Sequence, residues 1–462
     1  IHQNSAAVTV GPKRSPLGLA ADPGGIPLYK GGEPVGAIGV ISDGLYSIDP
    51  NIGDYDNDKD ELIAMAGTVG FEPPFDIKGN RITVEGKNFR YTDRKIRSIR
   101  SNPLTALPYD QIPRSVGGLT PIGTYFDGTV RPGTVFGTGP SGYRANTTGD
   151  YGTLNAFVLV DSNDQPRFPP RDGTEGTPES LTANEVRTII RNALTIAFRA
   201  RAQIRRPLGS HAQVTVSVVD TNGSILGIAR TPDGPVFGTD VSLQKARTAA
   251  FFSNTNTAAD LIRANLGNYW LAAKAVLGPG ALSDGTAFAD RSGGNLSRPF
   301  FPDGIDGAPH GPFSKPFSEW SPFNVGLQLD LIAANIVAHR SFLLGQSSTD
   351  TPMNCTPIPV RPQTSKSPVA NGIQIFPGSV PIYRNNTLIG GIGVSGDGID
   401  QDDMISFLGL HNAGLELGTG VGNAPRLIRA DNLEVPGGRL RYVNCPFLPF
   451  LDSNEQTPCN GK

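Results

Sequence analysis

Two stretches of the chain share one pattern of apolar and polar positions. In the later one, Val380 to Tyr383 and Ile389 to Val394 are apolar runs around a polar turn at Asn385 and Asn386. This is the signature of a β-hairpin. In the earlier one, Ile26 to Tyr29 and Val35 to Val40 fall opposite at constant spacing, and Gly24, Gly36 and Gly39 answer Gly378, Gly390 and Gly393. The pairing continues with Asp60, Glu61, Leu62 and Ile63 opposite Asp402, Asp403, Met404 and Ile405. A third block sets Ile77, Ile82, Val84, Gly86 and Arg90 against Ile428, Leu433, Val435, Gly437 and Arg441. An internal repeat follows. Glycines on the second strand suit a place where another backbone or a flat ligand approaches closely. Asp400, Asp402 and Asp403 open an apolar-periodic stretch, so they read first as groups capping a helix, where the backbone dipole favours them.

Between the repeats the pattern changes period. Thr182 and Glu185 form a capping box ahead of an apolar stripe, Val186, Ile189, Ile190, Ala193 and Ala197, spaced for a helix. Val214, Val216 and Val218 alternate as a strand, Asn222-Gly223 turns the chain, Ile225 to Ile228 returns, and a second helix runs from about Val241 to Phe252. The predicted class is α/β (α+β), an antiparallel sheet covered by helices. The FPPRDGTEGTPES stretch at 168–180 has linker composition and places a boundary between a unit at 1–165 and one at 166–462. Residues 253–364 form an insertion too long for a plain loop, expected to be an ordered, aromatic-studded wrap. Its helix, from about Asn324 to Leu344, sets Val325, Leu329, Ile332, Ile336, His339 and Leu343 on one stripe.

The hairpin PGGIPLYKGGEPVGAIGV followed by an acidic helix start, together with the helix, hairpin and helix at 181–252, resembles the GlcG/HbpS-like family. The resemblance covers residues 22–67, 181–252 and 371–410, as one complete copy with an insertion behind a C-terminal half-copy. Some members of that family bind haem, so it implies a haem-binding-like protein. A haem iron needs an axial donor in an apolar setting, and His339 and His310 are the candidates among His2, His211, His310, His339 and His411. Lys245, Arg247 and Thr248, with the strand of Gly390, Gly391 and Gly393, are the alternative walls of a ligand cleft.

Composition narrows the picture further. The 462 residues carry a net charge of −2, which gives no electrostatic footprint for nucleic acid. No apolar run reaches the roughly 20 residues that cross a bilayer. The chain opens on Ile1, read as a processed or incomplete N-terminus. Cys445 and Cys459 flank a Pro-rich tail and suit a disulfide, with Cys355 to Cys445 as the competing pair, and either implies an extracellular or periplasmic location. Asp54, Asp56, Asp58 and Asp60 alternate beside Asp49 and Asn51, an oxygen-rich spacing that suits calcium, although Lys59 and Met65 stand where an EF-hand needs Gly and Glu. No Ser-His-Asp order, GxSxG, Walker A or HExxH occurs.

The half-copy at the front should expose a sheet edge, which a second polypeptide or a neighbouring copy would complete, giving a homo-oligomer or linear assembly. Three functions are therefore open: a secreted or periplasmic haem-binding-like protein, a structural subunit of an extracellular assembly, and an enzyme acting on a small organic acid.

Overall fold

The computed structural model describes residues 23–42, 54–84, 86–119, 129–130, 132–147, 149–322, 326–351 and 355–462. The chain opens with a hairpin, β1 (Gly25–Lys30) and β2 (Glu33–Gly39), then α1 (Lys59–Gly67) and a short hairpin, β3 (Thr83–Val84) and β4 (Lys87–Asn88). There follow β5 (Tyr143–Ala145), β6 (Phe157–Leu159), α2 (Ala183–Arg199), β7 (Thr215–Val219), β8 (Ile225–Arg230) and α3 (Gly238–Phe252). The insertion supplies α4 (Thr257–Arg263), α5 (Gly267–Leu277), α6 (Asp290–Leu296) and α7 (Leu327–Leu343). The last part holds β9 (Ser379–Arg384), β10 (Thr387–Ser395), α8 (Ile399–Leu417), β11 (Val421–Asn423), β12 (Glu434–Val435) and β13 (Gly438–Arg439).

Seven strands form one antiparallel sheet in the order β11-β9-β10-β7-β8-β6-β5. The predicted class, an antiparallel sheet covered by helices, is the one found. Alternation along β7 explains the layering. Val216 and Val218 face the core that holds Ile189, Ile190 and Ala193 of α2 with Met404, Ile405 and Leu408 of α8. Val219 faces the other way, into a smaller core with Leu243, Ala246 and Ala250 of α3. The capping box forms as expected: the Thr182 side chain accepts from Glu185 N while Glu185 accepts from Thr182 N. β5 and β6 extend the sheet with residues ahead of 165, and the 168–180 stretch runs along β8, with Ile228 N donating to Phe168 O at 3.2 Å and Arg171 N to Leu226 O at 2.9 Å.

The insertion is ordered, as its composition requires, around its own core of Leu261, Phe288, Phe313, Leu331 and Ile358. Ala430, Val435 and Leu440 from the C-terminal part close that core. Of the expected helical stripe, Val325 lies outside the described residues.

The repeat is visible in local contacts. Val40 N donates to Gly24 O as Val394 N does to Gly378 O, and Asp93 N donates to Glu61 as Asn444 N does to Asp403. Only the second hairpin enters the seven-stranded sheet; β1 and β2 form a two-stranded sheet of their own. In the first repeat Asp58 caps α1, its carboxylate accepting from Glu61 N at 2.7 Å. The expected capping at the second acidic helix start fails for Asp402 and Asp403, whose carboxylates face buried cations instead.

Cys445 and Cys459 form a disulfide, which excludes the competing Cys355 pair; Cys355 is a buried thiol. The bond closes a loop with a sequence separation of 14. Replacing both cysteines with serine should lower unfolding free energy by about 3 kcal/mol in the chain-entropy picture. Urea denaturation of the variant beside the oxidised parent checks it, and equal midpoints would refute it.

Candidate functional site

Lys245 is the best-defined of the residues that the sequence singles out. It lies on α3 with its ammonium buried, donating to Val394 O at 3.0 Å and to Asp402 Oδ2 at 2.9 Å. Arg291, from α6, bridges Asp400 and Asp403 beside it. Asp290 completes the cluster. It is fully enclosed, and among the described residues no hydrogen bond reaches either of its oxygens. Burial raises its pKa well above the carboxylate range, against the pull of Lys245, so Asp290 is the neutral member. Two cations thus face three carboxylates, Asp402 and Asp403 buried and Asp400 partly exposed, where α3, α6, β10 and the start of α8 meet.

The other members of that set also contact protein. Arg247 donates to Gly223 O at 2.9 Å and to Asn371. Thr248 donates to Gln244 O at 2.6 Å and accepts from Gln374 N at 2.9 Å. What approaches the glycine strand is backbone: a Cβ on Gly390 would collide with Val219 O, one on Gly391 with Ala246 O, and one on Gly393 with Ser242 O.

No histidine among the described residues contacts the ion pairs of this cluster. His339 is buried on α7, and its Nδ1 meets Asp350 Oδ1 at 2.7 Å, a contact that fixes the ring. His310 is exposed, its Nδ1 3.0 Å from Gly311 O. His2 lies outside the described residues.

The calcium reading is not supported. Asp49 and Asn51 lie outside the described residues. Among those described, Asp58 caps α1, and Asp60 is buried and accepts from Ser42 N. The Asp54 carbonyl accepts from Arg90, and Asp56 N donates to Asp93. No group of three or more His, Cys, Asp or Glu side chains among the described residues could hold a metal ion. The alternating aspartates serve as helix cap and loop anchor.

A cleft that the sequence does not announce lies at the other end of α8. Its volume is about 490 Å³, and Phe407, Arg426, Arg429, Tyr442 and Lys462 are among its walls. Arg429 lies over the rings of both Phe407 and Tyr442. His411 follows Phe407 by one helical turn on the same face of α8. Burial lowers its pKa below the usual value, and the charges of Lys462 and Arg429 lower it further. The ring is therefore a neutral imidazole at pH 7, the form that ligates metals. Neither His339 nor His310 lines this cleft or the second one, which lies between α2 and the end of α8.

Residues 333–410, from α7 to most of α8, match the family model described as haem degrading protein HbpS-like. Over this part the chain is similar to the GlcG/HbpS-like family. A solved structure titled a crystal structure of a PduOC:heme complex aligns at 17% identity over 53% of this chain and 99% of its own, with a TM-score of 0.24. No curated protein matches the chain. Among the described residues no helix is long and apolar enough to cross a membrane.

Haem asks for a neutral nitrogen donor, cations for its carboxylates and apolar walls. The cleft beside the HbpS-like segment offers cations and rings, the Arg426, Arg429 and Lys462 group with Phe407 and Tyr442, and His411 stands near its walls, within the electrostatic reach of Arg429 and Lys462, without lining it.

The buried cluster has a measurable signature. Burial, opposed by Lys245, pushes the Asp402 pKa up to about 6. The folded chain then holds this proton more tightly than the unfolded chain, whose Asp titrates near ~3.9. The stabilisation is complete below about pH 4 and is lost as pH rises through about 6. Asp402→Asn should flatten that part of the stability curve and, by stranding the Lys245 ammonium, destabilise the chain by about 3–5 kcal/mol at pH 7. Urea unfolding from pH 4 to 7 checks both, and an unchanged slope would exclude Asp402 as the titrating group.

Proposed function

We propose that this chain is a haem-binding-like protein, secreted or periplasmic, with His411 as the neutral donor and Arg426, Arg429 and Lys462 as the carboxylate-binding edge of its site. The match of residues 333–410 to the HbpS-like family carries the reading. Electrostatics supports the placement, because the uncharged His411 imidazole lies within reach of Arg429 and Lys462, two of the cations that line the cleft. The Cys445–Cys459 disulfide supports an oxidising compartment. His339 is the second donor candidate: it lies inside the matched segment, and Asp350 orients its ring as a carboxylate orients a metal-ligating histidine. His310 is exposed, with its Nδ1 against a backbone carbonyl, and ranks behind both.

Titration of the purified chain with haemin, followed at the Soret band, tests this. A saturable shift at one haem per chain is expected. His411→Ala should weaken binding at least about tenfold, on the scale of losing a ligand or its support, and displace the band. His310→Ala should change neither. Loss of the band in His339→Ala with His411→Ala unaffected would move the site to α7. Absence of any saturable shift would overturn haem binding.

A further inference from the structure

The two repeats share a pattern and differ in what covers them. In the second, residues 391–395 of β10 pair with residues 215–219 of β7, and α3 crosses the strand at Gly391 and Gly393. α2 comes equally close to α8, where a Cβ on Gly409 would stand 2.6 Å from Ala193 Cα. Two buried ion pairs lock the segment in place: Lys245 with Asp402, and the capping Glu185 with Arg384 of β9. Every one of these contacts comes from residues 183–252.

The first repeat keeps most of the receiving features, with Ala37 standing where the second repeat has Gly391, and lacks the segment. Gly36 and Gly39, opposite Gly390 and Gly393, have no heavy atom within 4 Å of where a Cβ would stand. Val35 is 57% exposed where its counterpart Ile389 is buried, and Ile63 is 49% exposed where Ile405 is buried. Gly67 of α1 stands opposite Gly409. Gly24 repeats the left-handed backbone of Gly378, with φ of 116° against 138°, and it faces Val40 O and the Asp60 side chain as Gly378 faces Val394 O and Asp402. The carbonyl and carboxylate that receive the Lys245 ammonium are thus rebuilt from Val40 and Asp60. Among the described residues no cation bridges the buried Asp60. Lys30, opposite Arg384, is exposed.

We infer that the open edge of β2, the exposed side of α1, Asp60 and Lys30 form a docking site for one further helix, hairpin and helix segment built like residues 183–252. Its strand adds to β2 by backbone hydrogen bonds, Gly39 admits its second helix while the Ala37 methyl, opposite Gly391, holds that helix slightly farther out than α3 lies on β10, and its charges are set. A lysine enters between Val40 O and Asp60, and a helix-capping glutamate meets Lys30. The chain's own residues 183–252 are already held by the second repeat, so the occupant is a different segment. The inference does not depend on haem.

The test uses the full chain with a second copy of residues 172–254 joined ahead of residue 1 by a flexible linker, read by amide hydrogen exchange. Exchange at residues 36–40 is expected to slow by at least about hundredfold relative to the parent, on the scale of edge amides entering a stable sheet. Gly39→Leu in the same chain should abolish this protection while leaving the parent chain's stability unchanged, because a side chain there meets open space in the absence of the segment. Replacing only the added copy's lysine with methionine should reduce it. Unslowed exchange at 36–40 overturns the inference, and so does protection that survives Gly39→Leu. A dimer of the unextended chain that protects these amides and is lost in Gly39→Leu would assign the surface to a second copy, which also overturns it.

Discussion

The centre of the molecule depends on two backbones approaching where β10 carries almost no side chain. Because Gly391 and Gly393 present bare backbone, α3 lies directly on the strand, close enough for Lys245 to reach Val394 O and Asp402. The same narrowness seals out water. A lysine in that space is tolerable only with a carboxylate and a carbonyl to receive it, and both are supplied by the element it packs on. Layer spacing and buried charge are therefore one constraint. A larger residue on β10 would lift α3, and lifting α3 would part the ion pair.

That constraint accounts for the electrostatics around it. Arg291 enters from the insertion to balance Asp400 and Asp403, and Asp290 next to it stays protonated because burial outweighs the pull of Lys245 and Arg291. On the opposite side of the sheet, burial alone would raise the Glu185 carboxyl, but hydrogen bonds from Arg384, Thr182 and Thr419 outweigh it and hold it at about 2. Two kinds of buried acid thus occur within one fold. The first is kept near neutrality by burial with too few donors, the second fully ionised by several. Neither has the exposure that substrate chemistry asks for, and it is the Lys245–Asp402 and Glu185–Arg384 pairs that tie residues 183–252 to the C-terminal strands and helix.

Much of this was legible in the sequence, for physical reasons. The helix of the capping box, the valine alternation of β7 and the Asn222-Gly223 turn are local devices, and local devices are written in consecutive residues. The repeat was legible because glycine cannot be replaced where backbones touch. The partners of Asp402 and Asp403 were not, since a carboxylate in a first helical turn looks the same whether it caps its own helix or binds a lysine 157 residues away. The cleft was hidden for a similar reason. Its arginines come from an irregular segment after α8, and Phe407 and Tyr442 meet only once the third block folds back. A hint existed in the single histidine that follows the acidic helix start at helical spacing, but an isolated histidine carries no sign of its neighbours.

The glycine strand also shows how one sequence signal divides into two meanings. Close approach by a flat ligand and close approach by a helix need the same absence of side chains, and only the neighbour distinguishes them. In the second repeat the neighbour is α3, so these glycines belong to the fold and the haem reading must rest on residues beyond them, in the cleft between α8 and the segment that follows. In the first repeat the same glycines stand against open space, beside a carboxylate already shaped to receive an ammonium group. A pattern that costs conformational entropy on folding and, among the described residues, packs nothing is accounted for by contact with the docked segment inferred above. The second repeat shows what that contact looks like when it is made.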